Sequence, residues 1–380
     1  DTISLPDWGR NITAAPTAGD DLTGWKDSGG TIHPAETPYT VTGAVTLTAQ
    51  WGPFTSTQAV GDYLGSTGTA GTTITAPIPL TVNIPSSEWG NLLTTLQSKN
   101  KYVDLDLSAS TMMGTEFDPG TANTGEKYIV SLTLPDAAQS IKAGTSLYSA
   151  PTFKNFTALK EISGANVTTI GNYAFSLCKA LSTVDLPVAT SIGDYAFAQC
   201  TALSTVSLPV VTSIDDGTFS GCTMLTSVSL PAATSIGNYA FYACSVLSTV
   251  SFPKATSIGG GAFYRCSALS TVSLPVATSI GYSAFQNCST LSSVSLPKAS
   301  TIDEYAFDGC SALSTVNLPV ASSIGYYAFD RCSTLSTVSL PANCTISSDA
   351  EIRGNFKTYY DDQGKRQGTY TFNGTTWTGP

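Results

Sequence analysis

The stretch "SALSTVSLPVATSIGYSAFQNC", residues 267–288, decides the fold because the chain repeats it with few changes every 22 residues. Within it, Val272 and Leu274 alternate with serine as in a short β-strand, and Pro275 ends the strand because proline cannot donate to a strand ladder. Self-similarity at a period of roughly 20–29 residues is typical of solenoids, whose units bury their apolar faces only against their neighbours. The sequence therefore predicts a mainly β solenoid built from very short strands.

The second half of the repeat predicts how each coil returns to the next. Isoleucine, phenylalanine and cysteine recur there in every regular unit, as at Ile280, Phe285 and Cys288. The residue after the isoleucine is glycine in most units but Asp215 or Asp303 in two, and we expect a left-handed backbone there because aspartate tolerates positive φ. The residues around phenylalanine and cysteine are expected to form one turn of tight helix.

These residues resemble the BspA-like class of leucine-rich repeat, whose units read L-x-x-V-x-L-P, then a T-S-I-G-like turn, then A-F-x-x-C. The resemblance covers residues 153–346. It implies a right-handed solenoid with parallel short strands and tight-helix turns. We expect regular repeats over 153–342, preceded over 77–152 by a cap helix and irregular repeats.

Both ends of the repeat region carry sequences that predict caps. "PSSEWGNLLTTLQSKN", residues 85–100, predicts a short helix with Ser86 or Ser87 as its N-cap and with leucines on one side. "NFKTYYDDQGKRQGTYTFNGTTW", residues 355–377, alternates polar and aromatic residues about a glycine-containing turn. It predicts that the C-terminal segment, 343–380, is a β-hairpin cap.

The N-terminal part of the chain differs from the repeats. "LTGWKDSGG" and "YTVTGAVTLTAQW" in residues 1–51 resemble the ending of the β-grasp repeat known from internalin-B B-repeats, which are common on bacterial surface proteins. The resemblance implies a small β-grasp-like segment, truncated or degenerate at its start. Residues 52–76 are rich in glycine, threonine and serine and predict a flexible linker.

Charge and composition exclude several function classes. The net charge is −10 and charged residues make up 12% of the chain, which argues against binding to nucleic acid or to anionic membranes. The sequence contains no apolar run of the roughly 18 residues that a transmembrane helix needs. His33 is the single histidine, which excludes most imidazole mechanisms and histidine metal sites. We therefore predict no metal and no cofactor.

The cysteines belong to the repeat. Eight of the nine lie 22 residues apart, at 178, 200, 222, 244, 266, 288, 310 and 332. A metal stack or a disulfide ladder is the alternative, but no histidine and no CxxC pair accompanies them, so we predict buried free thiols. Cys344 breaks the register and is expected to be the most reactive of the nine.

The sequence contains few residues that could form a catalytic site. The serines of the strands have no histidine in the repeat region to activate them. Neighbouring carboxylates, such as Asp215 with Asp216, Asp303 with Glu304, and Asp308 with Asp330, predict turn residues and solvated charges rather than an acid–base pair. The sequence thus predicts that the protein is not an enzyme.

Variation between units is concentrated after the glycine turn and around the phenylalanine. The candidate partner contacts there are Tyr239, Tyr242, Tyr264, Arg265 and Tyr282. Tyrosine and arginine are enriched at binding hot spots, although tyrosine on a β-rich surface is more often simple cover.

The BspA-like resemblance implies a bacterial cell-surface or secreted adhesion protein. Its partners would be host extracellular-matrix or cell-surface proteins, or other bacterial surface proteins, and we expect a monomer. The alternatives are a structural spacer of the cell envelope and a carbohydrate-binding surface module.

Overall fold

The computed structural model describes residues 2–4, 21–26, 32–34, 38–40, 48–120, 125–148, 150–347, 352 and 356–380. Of the strands before residue 53 it describes the backbone alone. The chain divides into two compact units. The first comprises Asp1–Ala138 and Asn155–Ala165, and the second comprises Gln139–Lys154 and Asn166–Pro380.

The first unit combines short strands with two helices. Its strands are β1 (Thr2–Ser4), β2 (Asp21–Lys26), β3 (Ile32–Pro34), β4 (Pro38–Thr40), β5 (Thr48–Gly52), β6 (Ile78–Thr81), β7 (Val103–Asp106), β8 (Glu116–Phe117), β9 (Ile129–Thr133) and β11 (Glu161–Ser163). Its α-helices are α1 (Thr57–Ser66) and α2 (Trp89–Lys99), and its 3-10 turns are Ser86–Glu88 and Glu126–Tyr128. β1 pairs with β4, and β2 pairs with both β3 and β5, all antiparallel. The β-grasp expectation for 1–51 falls largely outside the described residues and stays a prediction.

Strands β6, β7, β9 and β11 form a parallel sheet in the first unit. Their register aligns Leu80 with Leu105, Leu105 with Leu132, and Leu132 with Ile162. All four side chains are buried. The irregular units that precede the regular repeats therefore share one column of stacked, buried apolar side chains.

Helix α2 lies where the sequence predicts a cap helix. Leu92, Leu93 and Leu96 are its buried residues, and the helix ends at Asn100, whose φ of 54° gives the left-handed C-cap. The expected serine N-cap is wrong. A 3-10 turn precedes the helix, and the Ser86 hydroxyl accepts a hydrogen bond from the Met113 N–H instead (3.3 Å).

The predicted flexible linker over 52–76 is also wrong, because α1 occupies much of it. The Ser56 hydroxyl caps this helix by accepting from the Ala59 N–H (3.1 Å). Val60 and Leu64 are buried, so these two apolar side chains pack α1 into the first unit although the surrounding sequence is rich in glycine and threonine.

The second unit places two short strands in each regular turn. The first-strand series is β13 (Thr183–Asp185), β15 (Thr205–Ser207), β17 (Ser227–Ser229), β19 (Thr249–Ser251), β21 (Thr271–Ser273), β23 (Ser293–Ser295), β25 (Thr315–Asn317) and β27 (Thr337–Leu340). The second-strand series is β10 (Ser140–Ile141), β12 (Thr169–Ile170), β14 (Ser191–Ile192), β16 (Ser213–Ile214), β18 (Ser235–Ile236), β20 (Ser257–Ile258), β22 (Ser279–Ile280), β24 (Thr301–Ile302), β26 (Ser323–Ile324) and β28 (Thr345–Ile346). The strand pairs within both series are parallel, which confirms the predicted mainly β solenoid.

The core of the second unit is a set of columns that run through the turns. Leucine, alanine, isoleucine, phenylalanine and cysteine of each repeat are buried, as the sequence predicts. Phenylalanine rings of successive turns stack nearly parallel, with centroids 5.3 Å apart between Phe241 and Phe263 and 5.1 Å apart between Phe263 and Phe285. Strand neighbours lie about 4.8 Å apart, so the rings are offset, which is the favourable stacking geometry.

The return segment of each turn is not the expected single turn of tight helix. Successive i→i+3 turns replace it, with the N–H groups of Ala196, Ala198 and Cys200 donating to the carbonyls of Gly193, Tyr195 and Phe197. Two residues of every regular turn have positive φ, which interrupts a helix. The first position is held by residues 173, 195, 217, 239, 261, 283, 305 and 327, and the second by 177, 199, 221, 243, 265, 287, 309 and 331.

The glycine that follows the isoleucine in most turns does not have the expected left-handed backbone. Gly237, Gly259 and Gly281 are absent from the positive-φ residues of the described chain, as are Asp215 and Asp303. At Gly259 the missing side chain provides space instead: a Cβ there would lie 2.6 Å from the carbonyl carbon of Gly237 in the preceding turn.

The C-terminal cap differs from the predicted hairpin. Its first half is helix α3 (Phe356–Asp362), and the hairpin lies later, between β29 (Gly368–Phe372) and β30 (Trp377–Thr378). Phe356 and Tyr360 of α3 are buried at helical spacing, which explains why this segment is not a strand. β29 pairs antiparallel with β27, and this pairing ends the parallel series.

Candidate functional site

The turn geometry of the second unit positions the predicted contact residues. Tyr239 occupies the first positive-φ position (φ 54°) and Arg265 the second (φ 63°). Tyr242 and Tyr264 hold equivalent places in consecutive turns, each directly before the second positive-φ residue. The backbone of this segment is tied to the following turn, since the N–H of Tyr239 donates to Gly260 and that of Ala243 to Tyr264 (both 2.8 Å).

Four of the five predicted residues form a continuous series of side-chain contacts. The ring centroids of Tyr239 and Tyr242 are 6.1 Å apart and edge-on, and those of Tyr242 and Tyr264 are 5.5 Å apart. The Arg265 guanidinium carbon lies 5.1 Å from the centroid of the Tyr264 ring, in a cation–π contact. We call these four residues the tyrosine–arginine surface.

Tyr282 is not part of this surface. Its ring meets Tyr305 in the next turn (5.6 Å), and Tyr305 stacks on Tyr327 (5.2 Å). The described residues thus contain a second row of tyrosines, which the sequence placed among the variable positions without grouping them. Tyr305 and Tyr327 both occupy the first positive-φ position of their turns, and this shared position is what places them in one row.

Exposure differs within the tyrosine–arginine surface. Tyr239 is 42% exposed and Arg265 is exposed, whereas Tyr242 and Tyr264 are half-buried. The Tyr239 ring covers the position of Gly261 in the next turn, where an added Cβ would lie 2.5 Å from a ring carbon. Because Gly261 has no side chain, the Tyr239 ring can occupy this space.

Asp308 is a buried carboxylate that the sequence placed on the solvated rim. It is 1% exposed, and it accepts hydrogen bonds from Gln286 Nε2 (2.7 Å) and from Arg331 Nε (2.8 Å), with a second contact to Arg331 Nη2. The hydrogen bonds from Arg331 to Asp308, together with the negative charge of Asp308, raise the pKa of the Arg331 guanidinium. Burial of Asp308 is stabilised by this two-point pairing, which the sequence spacing alone did not indicate.

Two other acidic residues, Asp194 and Asp216, accept hydrogen bonds from the following turn, and the amide of Asn238 continues the series. Asp194 Oδ1 accepts from the Asp216 N–H (3.1 Å), Asp216 Oδ1 from the Asn238 N–H (2.7 Å), and Asn238 Oδ1 from the Gly260 N–H (2.7 Å). Burial raises the pKa of the neighbouring Asp215. Asp215 and Asp216 thus lie at the predicted turn, although both are half-buried rather than fully solvated.

All nine cysteines are free and buried. Seven of the repeat thiols donate to a phenylalanine carbonyl 25 residues earlier at 3.1–3.2 Å, as Cys266 does to Phe241, and Cys178 reaches Phe153 at 3.6 Å. Burial raises the pKa of Cys266 to about 12. Cys344 is also buried, at 1% exposed, and burial raises its pKa to about 11, which is less than for the repeat thiols. That it is the most reactive of the nine stays a prediction.

Neither a metal site nor a membrane-spanning helix is found among the described residues. No group of three or more histidine, cysteine, aspartate or glutamate side chains in that part of the chain is arranged to hold a metal ion. No helix there is long and apolar enough to cross a membrane.

Comparisons with known proteins identify the repeat. The family model for the BspA type leucine rich repeat region matches residues 145–270 and 234–355, in six copies, which is more than half of the chain. No curated protein sequence matches the chain.

Solved structures with similar folds come from several bacteria. A leucine rich cell surface protein of Faecalibacterium prausnitzii is 24% identical, with 56% of this chain and 79% of that chain covered and a TM-score of 0.28. A leucine-rich repeat protein of Eubacterium ventriosum is 20% identical over 73% of this chain and 90% of that chain (TM-score 0.37). The pneumococcal vaccine antigen PcpA is 16% identical over 68% and 82% (TM-score 0.37).

Proposed function

Because the chain belongs to the BspA type leucine rich repeat family, we propose that it is a non-enzymatic protein-binding module, displayed on the bacterial surface or secreted. Its partners are host extracellular-matrix or cell-surface proteins, or surface proteins of other bacteria. The tyrosine–arginine surface of the second unit makes the central contacts.

One observation carries this proposal: Tyr239, Tyr242, Tyr264 and Arg265 form an unbroken chain of ring contacts over consecutive turns. Tyrosine and arginine are the residue types that most often supply binding energy at protein interfaces. Side chains already ordered against each other lose less conformational entropy when a partner binds. The surface therefore combines suitable chemistry with a preformed arrangement.

The use of polar side chains within the turns supports a binding role over catalysis. Asp194 and Asp216 accept backbone hydrogen bonds from the next turn, and Asp308 is paired with Arg331. These carboxylates are engaged in holding turns together, so they are poorly suited to exchange protons with a substrate.

The test replaces residues of the surface by those that other repeats carry at the same positions. Tyr264→Gln with Arg265→Asn copies the next turn, which has Gln286 and Asn287 there, and Tyr242→Ser copies Ser220. These changes preserve the turn because each new residue is native to an equivalent place. Tyr326→Ser is the matched control, because Tyr326 is 47% exposed and lies outside the surface.

Binding to immobilised matrix proteins and to bacterial surface extracts is measured for the full chain and each variant. We expect the triple variant to lose about 30-fold or more in affinity, the effect of removing a hot spot of about 2 kcal/mol, while the control keeps its affinity. Equal binding by the triple variant would refute the assignment of the surface. Absence of any protein ligand would favour a spacer, and selective retention on a glycan array would favour a carbohydrate-binding module.

A further inference from the structure

A cavity of about 210 Å³ lies in the first unit, whereas the proposed binding surface belongs to the second. Its apolar lining includes Trp89 of α2, Phe117 of β8, and the consecutive Met112 and Met113. The rings of Trp89 and Phe117 meet edge-on, with centroids 5.9 Å apart. This volume is below the roughly 300–1,000 Å³ of typical small-molecule pockets, so the cavity suits one large side chain rather than a drug-sized ligand.

Several polar groups of the lining are already paired within the unit. The indole Nε1 of Trp89 donates to the Pro119 carbonyl (2.8 Å), and the Ser110 hydroxyl donates to the Val82 carbonyl (2.9 Å). The Ser86 hydroxyl accepts from the Met113 N–H (3.3 Å). These groups are held in place by the fold, so the walls of the cavity are largely preformed.

The charge of the lining is one-sided. Glu116 and Asp118 contribute carboxylates, and the described lining contains no lysine, arginine or histidine. Asp118 accepts a hydrogen bond from the Gly120 N–H (2.9 Å), whereas Glu116 is exposed and projects from the two-residue strand β8. An occupant complementary to this cavity has an apolar body and a cationic end.

Met113 leaves one side of the cavity open to solvent. It is 90% exposed, the largest exposure of any large hydrophobic residue described. Methionine is flexible and polarizable and is over-used at binding surfaces that adapt to side chains.

We propose that this cavity receives an arginine side chain of a protein partner. The methylene stem of arginine packs between the methionines and the Trp89–Phe117 pair, and the guanidinium reaches the Glu116 carboxylate. Arginine fits better than lysine because its weakly hydrated, planar guanidinium also stacks on aromatic faces. The contact is independent of the tyrosine–arginine surface, so either can fail without the other.

The methionines provide the assay. The chain contains three, and the third, Met224, lies in the second unit and is 56% exposed. With methyl-¹³C methionine in the full-length protein, NMR resolves two reporters in the cavity and one internal control. The probes are N-acetyl-arginine amide and N-acetyl-citrulline amide, its neutral isostere.

We expect the arginine probe to shift the Met112 and Met113 methyl signals and to leave Met224 unchanged. Citrulline should bind several-fold more weakly. Glu116→Gln should weaken arginine binding about two- to fivefold, as loss of an exposed ion pair does, while Glu161→Gln, on β11 outside the cavity, should not.

The proposal is overturned if the arginine probe moves no methyl signal up to its solubility limit, or moves all three alike. It is equally overturned if citrulline binds as well as arginine, or if Glu116→Gln has no effect. The Met224 signal and the far-UV spectrum report whether each variant is folded.

Discussion

Phe263→Ala tests the packing of the second unit most directly. Phe263 is 0% exposed, its ring lies between those of Phe241 and Phe285 at 5.3 and 5.1 Å, and Phe252 approaches at 6.1 Å. Truncation of buried phenylalanine costs about 3–5 kcal/mol, and the higher values apply where the site cannot collapse.

Collapse is prevented here by the backbone. The Phe263 N–H donates to Ala284 (2.7 Å) and the Phe241 N–H to Ala262 (2.8 Å), so hydrogen bonds fix the spacing of the turns around the missing ring. We therefore expect a loss of about 4–5 kcal/mol in the free energy of unfolding. Urea unfolding, followed by far-UV circular dichroism and by labelling of the repeat thiols, measures the global and the local loss separately.

Phe252→Leu is the matched control. Phe252 occupies a column that other turns fill with leucine, such as Leu230 and Leu274, so this change should cost less than about 1.5 kcal/mol. A loss below about 1 kcal/mol for Phe263→Ala, or one equal to that of the control, would show that the phenylalanine column is not the core.

Three further predictions concern the turns. Burial raises the pKa of the repeat thiols, to about 12 for Cys178, Cys222 and Cys266, so they should not react with a thiol reagent at pH 8 in the native state. Because these pKa values are higher in the folded than in the unfolded state, stability is complete below about pH 8.5. It should fall as the pH rises towards 12, by about 1.4 kcal/mol per pH unit for each thiol that unfolding exposes; pH-independent urea midpoints would contradict this. Gly217→Ala should cost about 1–2 kcal/mol or more, because Gly217 has a φ of 61° and a Cβ there would lie 2.2 Å from the Tyr195 ring, whereas Gly90→Ala in α2, with open space around it, should stabilise by about 0.5–1 kcal/mol; thermal unfolding of both variants checks the contrast. Arg331→Asn should cost about 1.5–3 kcal/mol because it leaves the buried Asp308 carboxylate short of a partner, and adding Asp308→Gln should recover part of the loss in a double-mutant cycle.

The elements that the sequence predicted well are those that repetition makes redundant. Each regular turn carries the same leucine, isoleucine, phenylalanine and cysteine, so the period and the inward direction of these side chains can be determined from many copies. Places with a single copy were predicted less well. Helix α1 lies in a Gly- and Thr-rich segment, and α3 lies in a polar–aromatic stretch whose buried Phe356 and Tyr360 are separated by one helical turn.

The candidate site shows the same division. Variation between repeats was enough to select Tyr239, Tyr242, Tyr264 and Arg265, which the structure brings together. It could not show that Tyr282 joins another row, because side-chain direction depends on two positive-φ positions per turn. Tyrosine, arginine, serine, alanine and glycine all occur at those positions, so residue type did not reveal the backbone.

The sequence by itself determined the 22-residue period, the buried columns and the leucine-rich-repeat family, because each depends on residue type repeated at constant spacing. Only the tertiary structure decided which glycines have positive φ and which merely clear space for the preceding turn. It also decided that Asp308 is buried against Arg331, and that Trp89, Phe117 and two methionines line one cavity. These features arise between segments distant along the chain, and the closeness of such segments is set by stacking rather than by local pattern.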